Sequence, residues 1–259
     1  MDELIRDGRS IRYVASGAGP AMVLVHGWCG DHSAFAPQLA HFASTHRVVV
    51  PDLRGHGASD PADAYDIADF ADDILWLSRR LELDRPVVVG HSMGGMVAIE
   101  AAAAHPDVFL AAVALDSPLV DDPILASGVD YQLELLGGAR REQEGPVFLR
   151  AALWGPYDDH DRATEIIAAI MHTAPEVGLR SLAGLKAWLP RRRLLDCRQP
   201  VLCVHIRGGG PTDPTTLAVD RPNVMVAQTV GAGHFIQLEV PDQVNAMIER
   251  FLTVTAVHS

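Results

Sequence analysis

The chain has 259 residues, is 48% hydrophobic and carries a formal charge of −12. That is enough for one sizeable α/β domain with an insertion, or for two small domains, while the acidic balance argues against nucleic acid and anionic membrane surfaces, which select clustered Lys and Arg. Three cysteines, Cys29, Cys197 and Cys203, lack CxxC spacing, the N-terminal "MDELIRDGRS" has no apolar leader and no run approaches 18 apolar residues, so a disulfide framework, a zinc site, export and membrane spanning are not indicated and a reduced, cytoplasmic protein is expected.

In chain order, short β-branched runs alternate with helical patterns. "AMVLVHG" (21 to 27) and "HRVVVPD" (46 to 52) come first, followed by a glycine-rich loop containing Arg54 and His56 and the amphipathic stretch "YDIADFADDILWLSRRLEL". "RPVVVGH" (85 to 91) then runs into Gly90-His91-Ser92-Met93-Gly94 and an alanine-rich helix, and "LAAVALDS" (110 to 117) follows. Near-continuous apolar strands separated by helices read as a parallel sheet covered on both faces. From about Pro118 to Leu195 no convincing strand occurs, and "DRATEIIAAIMHTA" places Ile166, Ile167, Ile170 and Met171 at helical spacing. The strand pattern resumes in "PVLCVHI" (200 to 206) and "NVMVAQTV" (223 to 230), then "GAGHF" and a last amphipathic helix. This predicts a core of residues 1–117 and 196–259 with a helical cap, residues 118–195, inserted over the strand ends. The basic run Arg191 to Arg193 reads as a solvated helix end.

The pentapeptide around Ser92 fits G-x-S-x-G in the context that gives the motif meaning, a strand before and a helix after. Glycines two residues to either side let helix and strand pack closely, and the turn presents the serine hydroxyl at a helix N-terminus, where the dipole and free N–H groups favour developing negative charge. With "VLVHGWCG", "PDLRGHGASD" and His234 in a small-residue loop after the last strand, the chain resembles the α/β-hydrolase fold family over nearly its whole length. The resemblance is strong outside the cap and weak within it.

The resemblance implies that Ser92 is the nucleophile, that His234 is the general base and that the backbone N–H groups of Met93 and Trp28 form an oxyanion hole; the Trp28 indole is alternatively a pocket wall. The acid of the triad stays open between two residues. Relatives usually carry it in a Gly-x-x-Asp turn after the strand equivalent to "PVLCVHI", but this chain reads "HIRGGGPTDP" there, with Asp213 late in the loop. Asp116, ending the preceding strand, is preferred, with Asp213 the alternative. "GWCGDHSAF" and "PTDP" further resemble cofactor-free dioxygenases of N-heteroaromatic rings, a branch of the fold whose acid follows that earlier strand.

The expected activity is hydrolysis of a carboxylic ester, lactone or related acyl compound through an acyl-enzyme, with no cofactor or metal. Alternatives are cofactor-free dioxygenation of a hydroxylated N-heteroaromatic ring, C–C bond hydrolysis or perhydrolysis on the same triad, and a noncatalytic ligand receptor. The expected partner is a small-molecule substrate; Phe148, Trp154, Met171 and Trp188 make the insertion apolar enough to wall a pocket, with helical core packing the commoner use of each, and Trp154 and Trp188 are the pocket candidates. Substrate identity and oligomeric state are not legible in the sequence.

Overall fold

The computed structural model of the chain describes residues 1–119, 123–188, 190–206 and 221–255. Among the described residues eight strands form one sheet: β1 (Asp2–Arg6), β2 (Arg9–Ser16), β3 (Ala21–Val25), β4 (Arg47–Pro51), β5 (Val87–His91), β6 (Ala111–Leu115), β7 (Val201–Ile206) and β8 (Val224–Thr229). Their spatial order is β1-β2-β4-β3-β5-β6-β7-β8, antiparallel at β1/β2 and β2/β4 and parallel elsewhere.

Each of the six apolar runs read from the sequence forms a strand. The two that open the chain do not share that signature, because they are an edge hairpin with one face in water. Their signal is the Asp7-Gly8 pair, whose φ values of 50° and 79° build the two-residue turn that matches strand twist.

The parallel strands are buried on both sides, and alternate residues serve two cores. Val23, Val25, Val88, Ala112 and Ala114 face α2 (Ile67–Arg80) and α3 (Met93–Ala104). Met22, Leu24, Val87, Val89 and Val113 face the opposite layer, α1 (Ala36–Phe42) and the C-terminal helix. At roughly 1.5–3 kcal/mol per fully buried aliphatic side chain, these layers hold the strand ends rigidly in register.

Between β6 and β7 the described residues form five helices: α4 (Pro123–Gly137), α5 (Arg141–Leu153), α6 (His160–His172), α7 (Pro175–Ala187) and α8 (Pro190–Asp196). After β8 come the short α9 (Ile236–Glu239) and the C-terminal α10 (Pro241–Val254). Leu149, Ile167 and Ile170, with Phe148 and Met171 against them, form a small cluster joining α5 and α6 to Cys29 and Phe235 of the core. The helix end at Arg193 departs from the solvated reading: its guanidinium pairs at 2.5 Å with Glu100, which α3 holds 2% exposed, because a buried carboxylate needs a cationic or N–H partner. Among the described residues no helix is long and apolar enough to cross a membrane.

Candidate active site

β5 stops at His91 and α3 begins at Met93, so Ser92 alone makes the turn, at φ 54° and ψ −119°. A non-glycine residue there is strained, and the strain is held by close packing on both sides. A Cβ on Gly90 would stand 1.9 Å from the Gly94 carbonyl oxygen, and one on Gly94 would stand 2.1 Å from the Val25 carbonyl oxygen. Helix and strand therefore touch through backbone alone.

Asp116 ends the neighbouring strand in the same manner. Its φ is 44°, its N–H donates to Val204 O at 2.7 Å, and the N–H of Ser92 donates to Leu115 O at 2.8 Å. The β5/β6 register, His91 opposite Leu115, puts Ser92 and Asp116 side by side one residue beyond the last pair. The carboxylate of Asp116 is almost fully buried and reaches Nδ1 of His234 at 2.6 Å, while its other oxygen accepts from Ile206 N–H at 3.3 Å. Such a carboxylate holds an imidazole in one tautomer and stabilises its protonated form.

His234 lies in the loop between β8 and α9. Its N–H donates to Leu153 O of α5 at 2.9 Å, and its own carbonyl accepts from Nε2–H of His91 at 2.9 Å. Burial, and then the adjacent His234 ring, push the His91 imidazole well below its ordinary pKa, so it is neutral and donates through Nε2. Sequence reasoning gave His91 no role of its own.

The turn Gly27 to Gly30 closes with Gly30 N–H on Gly27 O at 3.1 Å, and Cys29 takes φ 54° within it. A Cβ on Gly27 would lie 3.2 Å from Ser92 Cβ, so this turn sits against the serine. Met93, as the first residue of α3, has an N–H that an α-helix leaves without an internal acceptor. The Trp28 indole N–H donates to Gly178 O of α7 at 2.7 Å, tying the turn to the helical insertion.

These groups open on one cavity of about 850 Å³ lined by Trp28, Ser92, Asp116, His234 and Trp154. Its remaining wall is mainly aliphatic, including Val129, Ile166, Ile170, Leu182 and Leu185, and among the described residues no Lys or Arg lines it. Trp154 stacks on Phe235, the residue after His234, with ring centroids 4.8 Å apart. Trp188 is a correction to the sequence reading: it is not part of the lining, because its indole N–H donates to the buried Glu100 at 2.8 Å and faces α3. Asp213 lies outside the described residues.

Asp31, His32 and Asp52 offer three possible metal-ligand atoms within 4.8 Å of one another. The Asp52 carboxylate is already engaged by the N–H groups of His32 and Ala58, at 2.7 and 2.8 Å, and by His32 Nδ1 at 2.9 Å. Those bonds account for the cluster as a loop fastening.

Comparison with known proteins agrees with this fold. A model of the alpha/beta hydrolase fold matches residues 20–241. The chain is 29% identical to a 2-(acetamidomethylene)succinate hydrolase of Mesorhizobium japonicum, over 91% of this chain and 89% of that protein. It is 31% identical to the dihydrolipoyllysine-residue acetyltransferase component of an acetoin cleaving system of Cupriavidus necator, over 95% and 67%. Among solved structures, an N-acyl homoserine lactone degrading enzyme superposes with a TM-score of 0.82 at 28% identity, covering 96% of this chain and all of the other. An enol-lactonase from Burkholderia xenovorans has the same fold, with a TM-score of 0.84 at 21% identity over 97% and 100%.

Proposed function

Because the chain belongs to the α/β-hydrolase fold family, we propose that it hydrolyses a neutral carboxylic ester or lactone with an apolar acyl part, through an acyl-enzyme on Ser92. The observation that carries this reading is the 2.6 Å contact of Asp116 with His234 Nδ1, in a cavity that Ser92 also lines. His234 takes the proton of the Ser92 hydroxyl, the alkoxide attacks the substrate carbonyl, and the N–H groups of Trp28 and Met93 receive the developing oxyanion. His234 returns the proton to the leaving alcohol. Water activated by the same imidazole then releases the acid. In this reading Asp116 is the acid and the five helices act as the cap, residues 118–195 over a core of 1–117 and 196–259.

The substrate class follows from the wall. A dicarboxylate such as the one named for the Mesorhizobium relative needs cationic or N–H partners when desolvated, and no Lys or Arg among the described residues faces the cavity, whereas Asp31 and Asp116 do. A neutral, largely aliphatic acyl group suits those surroundings. The test is a screen of p-nitrophenyl esters and lactones of increasing chain length, with fluorophosphonate labelling of Ser92. Activity confined to charged acyl groups, or a label on another serine, contradicts the proposal.

A second reading has two specific supports. An acid just after β6 and the "GWCGDHSAF" turn resemble features of cofactor-free dioxygenases, in which Ser, His and Asp would bind and deprotonate a hydroxylated heterocycle. Oxygen uptake with hydroxyquinolones, followed in parallel with ester cleavage, separates the two.

A further inference from the structure

The loop that carries His234 has little of its own to hold it. Val230, Gly231, Ala232 and Gly233 lead into it, and small residues offer scant surface for packing. Its position is set by hydrogen bonds to other elements, and on one side these run to the helical insertion. The N–H of His234 donates to Leu153 O at 2.9 Å. The N–H of Gly233 donates to both oxygens of Asp158, at 2.8 and 3.1 Å.

Asp158 sits between α5 and α6 and is 6% exposed. Its carboxylate also accepts the N–H of Gly155 at 2.7 Å, so one side chain binds the insertion's loop and the histidine's loop together. A buried carboxylate is costly to desolvate unless N–H groups surround it, as here. The adjacent Asp159 does a different job, capping α6 by accepting from Asp161 and Arg162 N–H at 2.9 and 3.0 Å. Space confirms the closeness of the contact: a Cβ on Gly233 would lie 2.3 Å from Asp158 Oδ2 and 2.9 Å from Leu153 O. On the other side of His234, His91 grips the carbonyl from the core.

We propose that Asp158 is a positioning residue for His234: through it the helical insertion sets where the imidazole stands relative to Ser92 and Asp116. Docking of the insertion is then a condition of proton transfer itself, beyond any contact it makes with substrate. The inference rests on the reading of Ser92 as nucleophile and His234 as base.

The experiment uses the full chain with Asp158→Asn, Asp158→Glu and Gly233→Ala. It measures the rate of Ser92 phosphonylation by a fluorophosphonate, kcat and KM on p-nitrophenyl acetate, and the low-field proton resonance of His234 Nδ1–H, all well below each variant's melting temperature. A misplacement of about 1 Å costs on the order of 10²-fold. Asp158→Asn, which turns an amide N–H toward a backbone N–H, is therefore expected to lower kcat and the phosphonylation rate about 10–100-fold, to leave KM for the acetate nearly unchanged and to shift or broaden the Nδ1–H signal. Asp158→Glu is expected to recover part of the loss. Gly233→Ala drives the carboxylate off the loop and is expected to reproduce the defect, which keeps the question decidable if Asp158→Asn does not fold. A folded Asp158→Asn or Gly233→Ala protein that reacts at the wild-type rate with an unmoved signal, or that loses only KM, overturns the inference alone. A wild-type chain inert to the fluorophosphonate overturns the hydrolase reading, and the inference with it.

Discussion

The two sides of the cavity are built by different means. At the strand ends, Ser92 and Asp116 both adopt positive φ, their N–H groups are taken by neighbouring strands, and glycine contacts under 2.2 Å from any added Cβ leave no room for another arrangement. Across the cavity, the helical insertion presents Ile166, Ile170, Leu182 and Leu185, whose places depend on side-chain packing. The insertion joins the core at a few polar points. Trp28 meets Gly178, Glu100 meets Trp188 and Arg193, Arg162 meets Glu239 at 3.1 Å, and Asp158 and Leu153 meet the Gly233–His234 backbone. Backbone geometry thus places Ser92 and Asp116, the insertion reaches the His234 loop through Asp158 and Leu153, and its exchangeable apolar surface shapes what enters the cavity. Substitutions on the two sides are expected to have separable effects.

The largest break is expected at the strand ends. Ser92→Ala and His234→Ala are each expected to lower kcat on an activated ester by about 10⁵–10⁶-fold, and the double variant to be little worse than either, because groups acting as one unit do not contribute additively. Steady-state kinetics with active-site labelling checks this. Losses that multiply would place the two residues in separate steps.

The acid comes next. Asp116→Asn keeps the shape of the side chain but withdraws the carboxylate from His234, and in a comparable triad such a change lowered kcat about 10⁴-fold. Asp213→Asn is expected to stay near wild type, with a stability change within about 1 kcal/mol. Kinetics at matched thermal stability decides between them. The reverse ranking would give the role to Asp213 and dissociate the 2.6 Å contact at Asp116 from catalysis.

The same division explains what could be read from the sequence. Strand runs and the G-x-S-x-G turn are local patterns, so Val87 to Gly94 announces both the strand and the exposed serine. Asp116 and Ser92 become neighbours through register, which a separation of 24 positions does not display, although strand order makes the pairing foreseeable. Asp158 carries no such signal. Only the fold reveals that Asp159 caps α6 while its neighbour binds Gly233, 75 residues away. Trp188 falls outside the lining for a related reason: a tryptophan at the end of a helix does not state which neighbour it faces, and its indole found Glu100.

A smaller, pH-dependent effect belongs to the core side. His26, His56 and His91 are buried, and desolvation lowers the pKa of each, that of His56 to about 3. Unfolded, each would titrate near 6.5, so below that pH the unfolded chain binds protons that the folded chain refuses, and stability is full above about 6.5 and falls as pH drops toward the folded values. A histidine that stays neutral in the fold contributes a slope of up to about 1.4 kcal/mol per pH unit between about 6.5 and its folded value, and His56, at about 3, has a wide window. Urea unfolding at pH 7 and pH 5.5 is expected to show the loss, and His56→Asn to reduce the slope by about one proton. Stability flat across that range would mean that these rings titrate alike in both states.

The smallest expected effect is the one that tests the insertion's surface by itself. Ile166 lines the cavity from α6, half-buried. Truncating it to Ala removes three carbons from the wall, and a long acyl chain that covers one or two of them stands, at about 0.8 kcal/mol each, to lose about 4- to 15-fold in kcat/KM while an acetate, too short to reach, loses almost nothing. Trp188→Ala supplies the control from the same insertion. Its ring faces α3, so its loss leaves Glu100 one hydrogen bond short and is expected to lower the melting temperature without changing the order of preference among acyl chains. Trp154→Ala falls between the two. Its ring touches the cavity and stacks on Phe235 beside His234, so a chain-length effect is expected on top of a modest loss common to all substrates. A chain-length series measured for all three variants separates the contributions. If Ile166→Ala slowed acetate as much as the longest ester, the wall of the cavity would be part of the machinery at the strand ends, and the division between the two sides would fail.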